Sequence, residues 1–190
     1  MQKGHLIVIV APSGVGKSTL INRLKQEVPE LEWSVSYTTR PQRAGEEHGK
    51  NYFFIDKNEF EKRRKQDEFV EWAIVHSNYY GTTKKFIEDG LRVGRKLLFD
   101  LDVQGADNIK KLFPNDSSII FIEPPSFEVL EARLRGRGTE NAAVIEERLS
   151  NAKKELLKKN DYDYLVMNDT LERAFDELKG IILGVIKNCG

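Results

Sequence analysis

Cysteine is almost missing from this 190-residue chain: the single one, Cys189, stands next to the last residue. No intrachain disulfide can form, which excludes a disulfide-stapled secreted scaffold and fits a reducing compartment. Excess charge of either sign is missing too. Lys+Arg 30 against Asp+Glu 30 give a formal net charge of zero, so no global basic field exists to hold nucleic acid; a local cationic patch is not excluded. Long apolar runs are also lacking. LIVIVA before Pro12 is too short for a secretory h-region and far too short for a membrane span, and nothing else approaches one. The expectation is a cytoplasmic protein without a membrane or nucleic-acid partner. His5, His48 and His76 lie apart, without ligand spacing, and read as ordinary polar residues. No internal repeat, low-complexity tract or flexible linker is present, and the length suits one main core.

What is present is an alternation of short apolar runs with segments of helical period. LIVIV (6–10), KLLFD (96–100), SIIFI (118–122) and YLVMN (164–168) read as buried strands. Leu20, Ile21, Leu24 and Val28 share one helical face; so do Ile145, Leu149, Ala152, Leu156 and Leu157. A closing helix runs from Thr170 through Lys187, capped by Asp169 or Thr170, with Leu171, Ala174, Leu178, Ile181, Ile182 and Val185 inward. This rhythm predicts an α/β domain with a mainly parallel sheet. Two stretches interrupt it. Residues 33–82 suggest an antiparallel or mixed unit, with strands WSVSY, YFFI and FVEWAIV around the polar helix NEFEKRRKQ. The second interruption is RLRGRGTEN from Arg133.

The stretch APSGVGKST (11–19) follows the first strand and nearly spells the phosphate-binding loop G-x-x-x-x-G-K-[ST]. In the loop of Ala11, Pro12, Ser13, Gly14, Val15 and Gly16, the two glycines would let successive backbone N–H groups, all but that of Pro12, which has none, turn toward an anion, with the helix dipole behind. Lys17 would reach the β- and γ-phosphates, Ser18 would hold Mg²⁺, and Thr19 would lie near the α-phosphate. Ala11 stands where the motif has glycine. It costs little if the backbone there is extended or right-handed.

That loop identifies a nucleoside triphosphate and no acceptor. In residues 34–54, Arg40, Arg43 and Tyr52 offer two guanidinium forks and a phenol, which suit a phosphomonoester dianion; a solvated charged loop reads equally well from these residues. In EFVEWAIVHSNYYGTT (68–83), alternation puts Val70, Trp72 and Ile74 on one face and Glu71 on the other. A carboxylate there suits guanine, which offers N1–H and N2–H, whereas adenine would leave it unpaired. Arg133 and Arg137 share a helical face, with Arg135 roughly opposite; Gly136 and Gly138 weaken the helix there. A charged helix end is the plainer reading of the same residues.

In order and across nearly the whole chain, APSGVGKST, SVSYTTRPQRAGE, FVEWAIVHSNYYGT, DLDVQG, RLRGRGTE and the late MND resemble the bacterial guanylate kinase family. The resemblance implies a three-layer P-loop fold with a central parallel sheet. It implies a core of 1–33, 83–135 and 148–190, a GMP-binding region of 34–82 and a lid of 136–147. It implies ATP as donor, GMP and also dGMP as acceptors, and Mg²⁺ as cofactor; the polar, charge-mixed surface fits a monomer and a homodimer equally well. Arg40, Arg43, Tyr52 and Tyr80 would hold the GMP phosphate; Ser36, Glu71 and Thr82 would read guanine. Asp100 and Asp102, two apart at a strand end, would lie between GMP and the metal's water shell. Arg133, Arg137 and Arg148 would gather on the ATP phosphates, and Asn168 would approach adenine. Lys17, Arg40, Arg137 and Arg148 would carry catalysis, which needs positioning and charge neutralisation rather than a His or Cys nucleophile. Thr82 replaces the serine of some relatives and keeps the hydroxyl. Two other readings compete. A non-catalytic guanylate-kinase-like module is opposed by the intact Lys17 and Ser18 and by a chain that ends with the domain; a kinase for another nucleoside monophosphate is opposed by Glu71 with Ser36.

Overall fold

A computed structural model describes residues 3–75, 77–136 and 142–189. His76, and Arg137 with Gly138 in the expected lid, lie outside the described residues.

The first strand, β1 (His5–Val10), is buried along its whole length. Its alternate side chains leave by opposite faces, so Ile7 and Ile9 join one core cluster while Leu6, Val8 and Val10 join another. A strand buried on both faces belongs at the centre of a parallel sheet. Here β1 lies between β7 (Lys96–Asp100) and β8 (Ser117–Glu123), with β2 (Leu31–Trp33) and β9 (Tyr164–Met167) at the two edges, all five parallel. On one face α1 (Lys17–Glu27), α5 (Phe127–Gly136), α6 (Ala142–Leu156) and α7 (Leu171–Asn188) bury Leu24, Leu134, Leu149 and Phe175. On the other, α3 (Lys84–Arg92) and α4 (Val103–Leu112) bury Ile87, Ala106 and Ile109. These are the expected three layers.

A second sheet, in the order β4-β3-β6-β5, is built from β3 (Tyr37–Thr38), β4 (Phe53–Phe54), β5 (Phe69–Val75) and β6 (Asn78–Thr83). It is mixed, with only the β3–β4 pair parallel. The polar helix α2 (Lys57–Lys65), started by the Asp56 carboxylate on the Glu59 N–H, lays Phe60 on Phe69 with ring centroids 4.4 Å apart.

Four expectations need correction, and one strand, β6, is additional. WSVSY is not one strand: Trp33 ends β2 in the main sheet and Tyr37 opens β3 in the other, so Ser34–Ser36 is the crossing between sheets. Strand β6, NYYGTT, has no apolar alternation because its neighbours β3 and β5 define it. The strand β9 is not buried; Tyr164, Leu165 and Met167 are exposed and Val166 alone is fully covered, because β9 has a partner on one side only. Leu157 lies beyond the end of α6 and is 83% exposed. The alternation across β5 also fails in part. The register shifts between Phe69 and Glu71, so Val70 packs into the core while Trp72 and Ile74 are exposed.

Candidate active site

The loop after β1 turns on two glycines. Gly14 has φ 90° and Gly16 φ 100°, and Gly16 is the left-handed N-cap of α1. A β-carbon on Gly16 would stand 2.6 Å from Asn168 Nδ2. Ala11 is not among the residues of positive φ and sits in the core at 9% exposure, so glycine's freedom is not needed there. Buried Pro12 accepts from the Val15 N–H; Ser13 and Thr19 are exposed. The Val15 carbonyl is held twice, by Asn168 Nδ2 at 2.6 Å and by Arg133 Nη1 at 3.2 Å, and Arg133 Nη2 donates to the Asn168 carbonyl. Both residues expected at the nucleotide thus brace the loop, although they also line a cavity of about 440 Å³ with Gly14, Gly16 and Thr19. Arg135 points away, paired with Glu131 and Glu146. Arg148 reaches Ser13 Oγ at 3.5 Å.

Lys17 extends across the sheet's carboxyl edge, with its ammonium 2.5 Å from Asp100 Oδ1 and donating to the Leu101 carbonyl at 3.1 Å. The Ser18 hydroxyl is exposed beside it. The strand ends at Asp100, so Asp102 does not continue its alternation; it is the N-cap of α4, accepting from the Gly105 N–H at 2.8 Å. The Asp102 charge also acts on two carboxylates. Glu71 and Glu155 both have raised pKa values, burial first, with the Asp102 charge adding to the shift in each; Lys17 opposes it at Glu155. Sequence reading passed over Glu155, which sits at helical spacing among lysines and carries no local signal.

On the second sheet the expected base readers come together. Glu71 lies opposite Thr82 in the β5–β6 ladder, and Tyr37 opposite Gly81 places Ser36 alongside Thr82. The Ser36 and Thr82 hydroxyls are 3.1 Å apart, and Thr82 hydrogen-bonds Glu71. Burial pushes the Glu71 carboxyl up to about 7 despite the Thr82 bonds, which favour the ionised form. Tyr52 and Tyr80 meet edge to face at 5.9 Å, and Arg40 stands 5.5 Å from the Tyr52 ring centroid with the Tyr80 hydroxyl as a further neighbour. Arg43 is exposed at the same loop. A cleft of about 580 Å³ joins the two sides, touching Ser18, Ser36, Glu46, Tyr52 and Asp100. It reaches Asp100, the partner of Lys17, on one side and Ser36, the partner of Thr82, on the other, and has room for a phosphorylated small molecule.

The family model that describes guanylate kinase matches residues 3–184. The chain belongs to the guanylate kinase family. The guanylate kinase of Dechloromonas aromatica is 44% identical over 179 residues, 94% of this chain and 88% of that protein. That of Prochlorococcus marinus is 47% identical over 177 residues, 93% and 96% of the two chains. In fold, the crystal structure of guanylate kinase from Anaplasma phagocytophilum matches with a TM-score of 0.71 at 33% identity, covering 96% of this chain and 86% of that one.

Proposed function

We infer that this guanylate kinase transfers the γ-phosphate of ATP to GMP, giving ADP and GDP. The observation that carries the acceptor is the meeting of Glu71, Ser36 and Thr82 beside a cleft that Ser36 shares with Asp100, the partner of Lys17. An ionised Glu71 would accept guanine N1–H and N2–H, and the two hydroxyls would complete the edge. Arg40, Arg43, Tyr52 and Tyr80 would take the acceptor phosphate and aim its oxygen. Lys17 would exchange Asp100 for the transferring phosphoryl group, which the loop N–H groups and Arg148 also face. Arg137 belongs to the same proposal by resemblance.

Among the described residues no group of three or more His, Cys, Asp or Glu could hold a metal ion unaided. The Ser18 hydroxyl and the Asp100 and Asp102 carboxylates are hard oxygen donors beside the loop, which fits Mg²⁺ arriving with the nucleotide's phosphates. Bound there, Mg²⁺ supplies charge neutralisation of the β- and γ-oxygens. Residues 34–82 are proposed as the GMP-binding region and 136–147 as the lid, closing over the cleft to exclude water. We further propose dGMP as a second acceptor, because none of the named base or phosphate contacts needs a 2′-hydroxyl. No helix among the described residues is long and apolar enough to cross a membrane, and a cytoplasmic location is proposed with it.

The test is ADP release from ATP and Mg²⁺ with GMP, dGMP or UMP offered separately. Release that depends on GMP and dGMP and stays at background with UMP is the expected result. Background release with GMP would refute the assignment.

A further inference from the structure

The loop that presents Arg40 and Arg43 also carries an acid, Glu46, in contact with both. Arg43 to Glu46 forms a β-turn closed by the Glu46 N–H on the Arg43 carbonyl at 3.1 Å, with Gly45 in its third place at φ 84°. The turn folds Glu46 back over its own start. Its Oε1 accepts from Arg40 Nη2 at 2.7 Å; its Oε2 accepts from Arg40 Nη1 at 3.1 Å and from the Arg43 backbone N–H at 2.8 Å. The Gln42 side chain donates to the Glu46 carbonyl, closing the loop from outside. The Arg40 and Glu46 side chains are only 12% and 20% exposed, and the Arg40 hydrogen bond, then the Arg43 backbone bond, hold the Glu46 carboxyl below its ordinary pKa.

Which edge of the guanidinium Glu46 occupies decides what it does. Both Nη1 hydrogens are used, one on Glu46 and one on the Pro41 carbonyl at 2.8 Å, and one Nη2 hydrogen is used on Glu46. Nε–H and the second Nη2–H carry no carboxylate or carbonyl, and together they form the other two-donor edge of the fork; the Tyr80 hydroxyl, itself proposed at the phosphate, is the guanidinium's further hydrogen-bond neighbour. An incoming phosphate can therefore take that edge without displacing the carboxylate. The Tyr52 and Phe54 rings, at 5.5 and 5.7 Å from Arg40 Cζ, leave the guanidinium little other freedom. Glu46 also brings a negative charge near a dianion site, which weakens attraction. Against this, an arginine already ordered loses less conformational freedom on binding, and this partly covered pair is fixed at the edge away from the ligand.

We propose that Glu46 is a positioning residue of the acceptor-phosphate site, chelating one edge of Arg40 so that the other is presented, pre-oriented, to the GMP phosphate. This rests on the proposal that Arg40 binds that phosphate, so the test separates the two. GMP and guanosine are titrated calorimetrically into the unaltered protein, Glu46→Ala, Glu46→Gln and Arg40→Met, and KM and kcat are measured on the same samples. Expected for Glu46→Ala is GMP affinity weakened about tenfold, as for loss of a charge-assisted bond, with KM rising in step, kcat nearly kept and guanosine affinity unmoved. Glu46→Gln, which keeps one acceptor oxygen, should recover part of the loss. Unchanged or tighter GMP binding by Glu46→Ala would make Glu46 a competitor and overturn the proposal. Equal losses for GMP and guanosine would reduce it to a purely structural residue and overturn it as well. If Arg40→Met leaves GMP affinity intact, the phosphate-site assignment itself fails.

Discussion

Glu71 is the residue proposed to choose the acceptor, and in that role its protonation would tie the choice to pH. Its carboxyl is raised to about 7 by burial. A carboxyl raised on folding binds its proton more tightly in the native state. Its contribution to stability is present below the unfolded value, near 4.5, and is lost as pH rises through about 7. GMP acts in the opposite direction, since two N–H donors favour the ionised form. Binding at neutral pH should then release about half a proton from Glu71. Calorimetry of GMP binding in buffers of different ionisation enthalpy measures this, and Glu71→Gln should abolish most of it while raising KM for GMP. An unchanged proton count in that variant would remove Glu71 from the base site. For Lys17, parked on Asp100, Lys17→Ala should cut kcat about a hundredfold or more with GMP affinity largely kept; near-normal turnover would refute its role. Local chemistry made both residues legible in the sequence, through a loop motif and through a carboxylate in an apolar strand. The partners of Lys17, Arg40 and Asn168 were not legible, because an ion pair or a brace between distant segments has no signature in either segment alone.

Among the elements, the strand-loop-helix at β1 and α1 is the most tightly specified. Gly16 combines a left-handed backbone with a close neighbour that is itself tied to the Val15 carbonyl. Gly16→Ala should cost about 1–3 kcal/mol from the backbone alone, seen as a lower denaturation midpoint and weaker ATP binding. Stability within a few tenths of a kcal/mol of the unaltered chain would show that the loop relaxes freely. Gly14, at φ 90°, carries the same backbone cost, but its intruding neighbour is the Leu134 side chain rather than a braced amide. The central strands were legible because burial on both faces writes a continuous apolar run. The strand β6 was not, since NYYGTT takes its form from β3 and β5 on either side. The break after Trp33 was equally hidden, as a chain that passes from one sheet to another keeps its extended pattern.

At the scale of the molecule, the parallel sheet sets Lys17 and Asp100 at its carboxyl edge, and the second sheet carries the residues proposed to read the base and the phosphate. In the proposed function, donor chemistry and acceptor choice reside on separate sheets. The central claim is that the acceptor is read by its N1–H and N2–H donors. The direct measurement is kcat/KM for GMP, IMP and AMP as acceptors with saturating ATP and Mg²⁺. IMP keeps N1–H and lacks the exocyclic amine, and AMP offers neither donor. The expected order is GMP above IMP above AMP, with AMP down about 10⁴-fold or more because the buried carboxylate is left unpaired. AMP used as well as GMP would contradict the account.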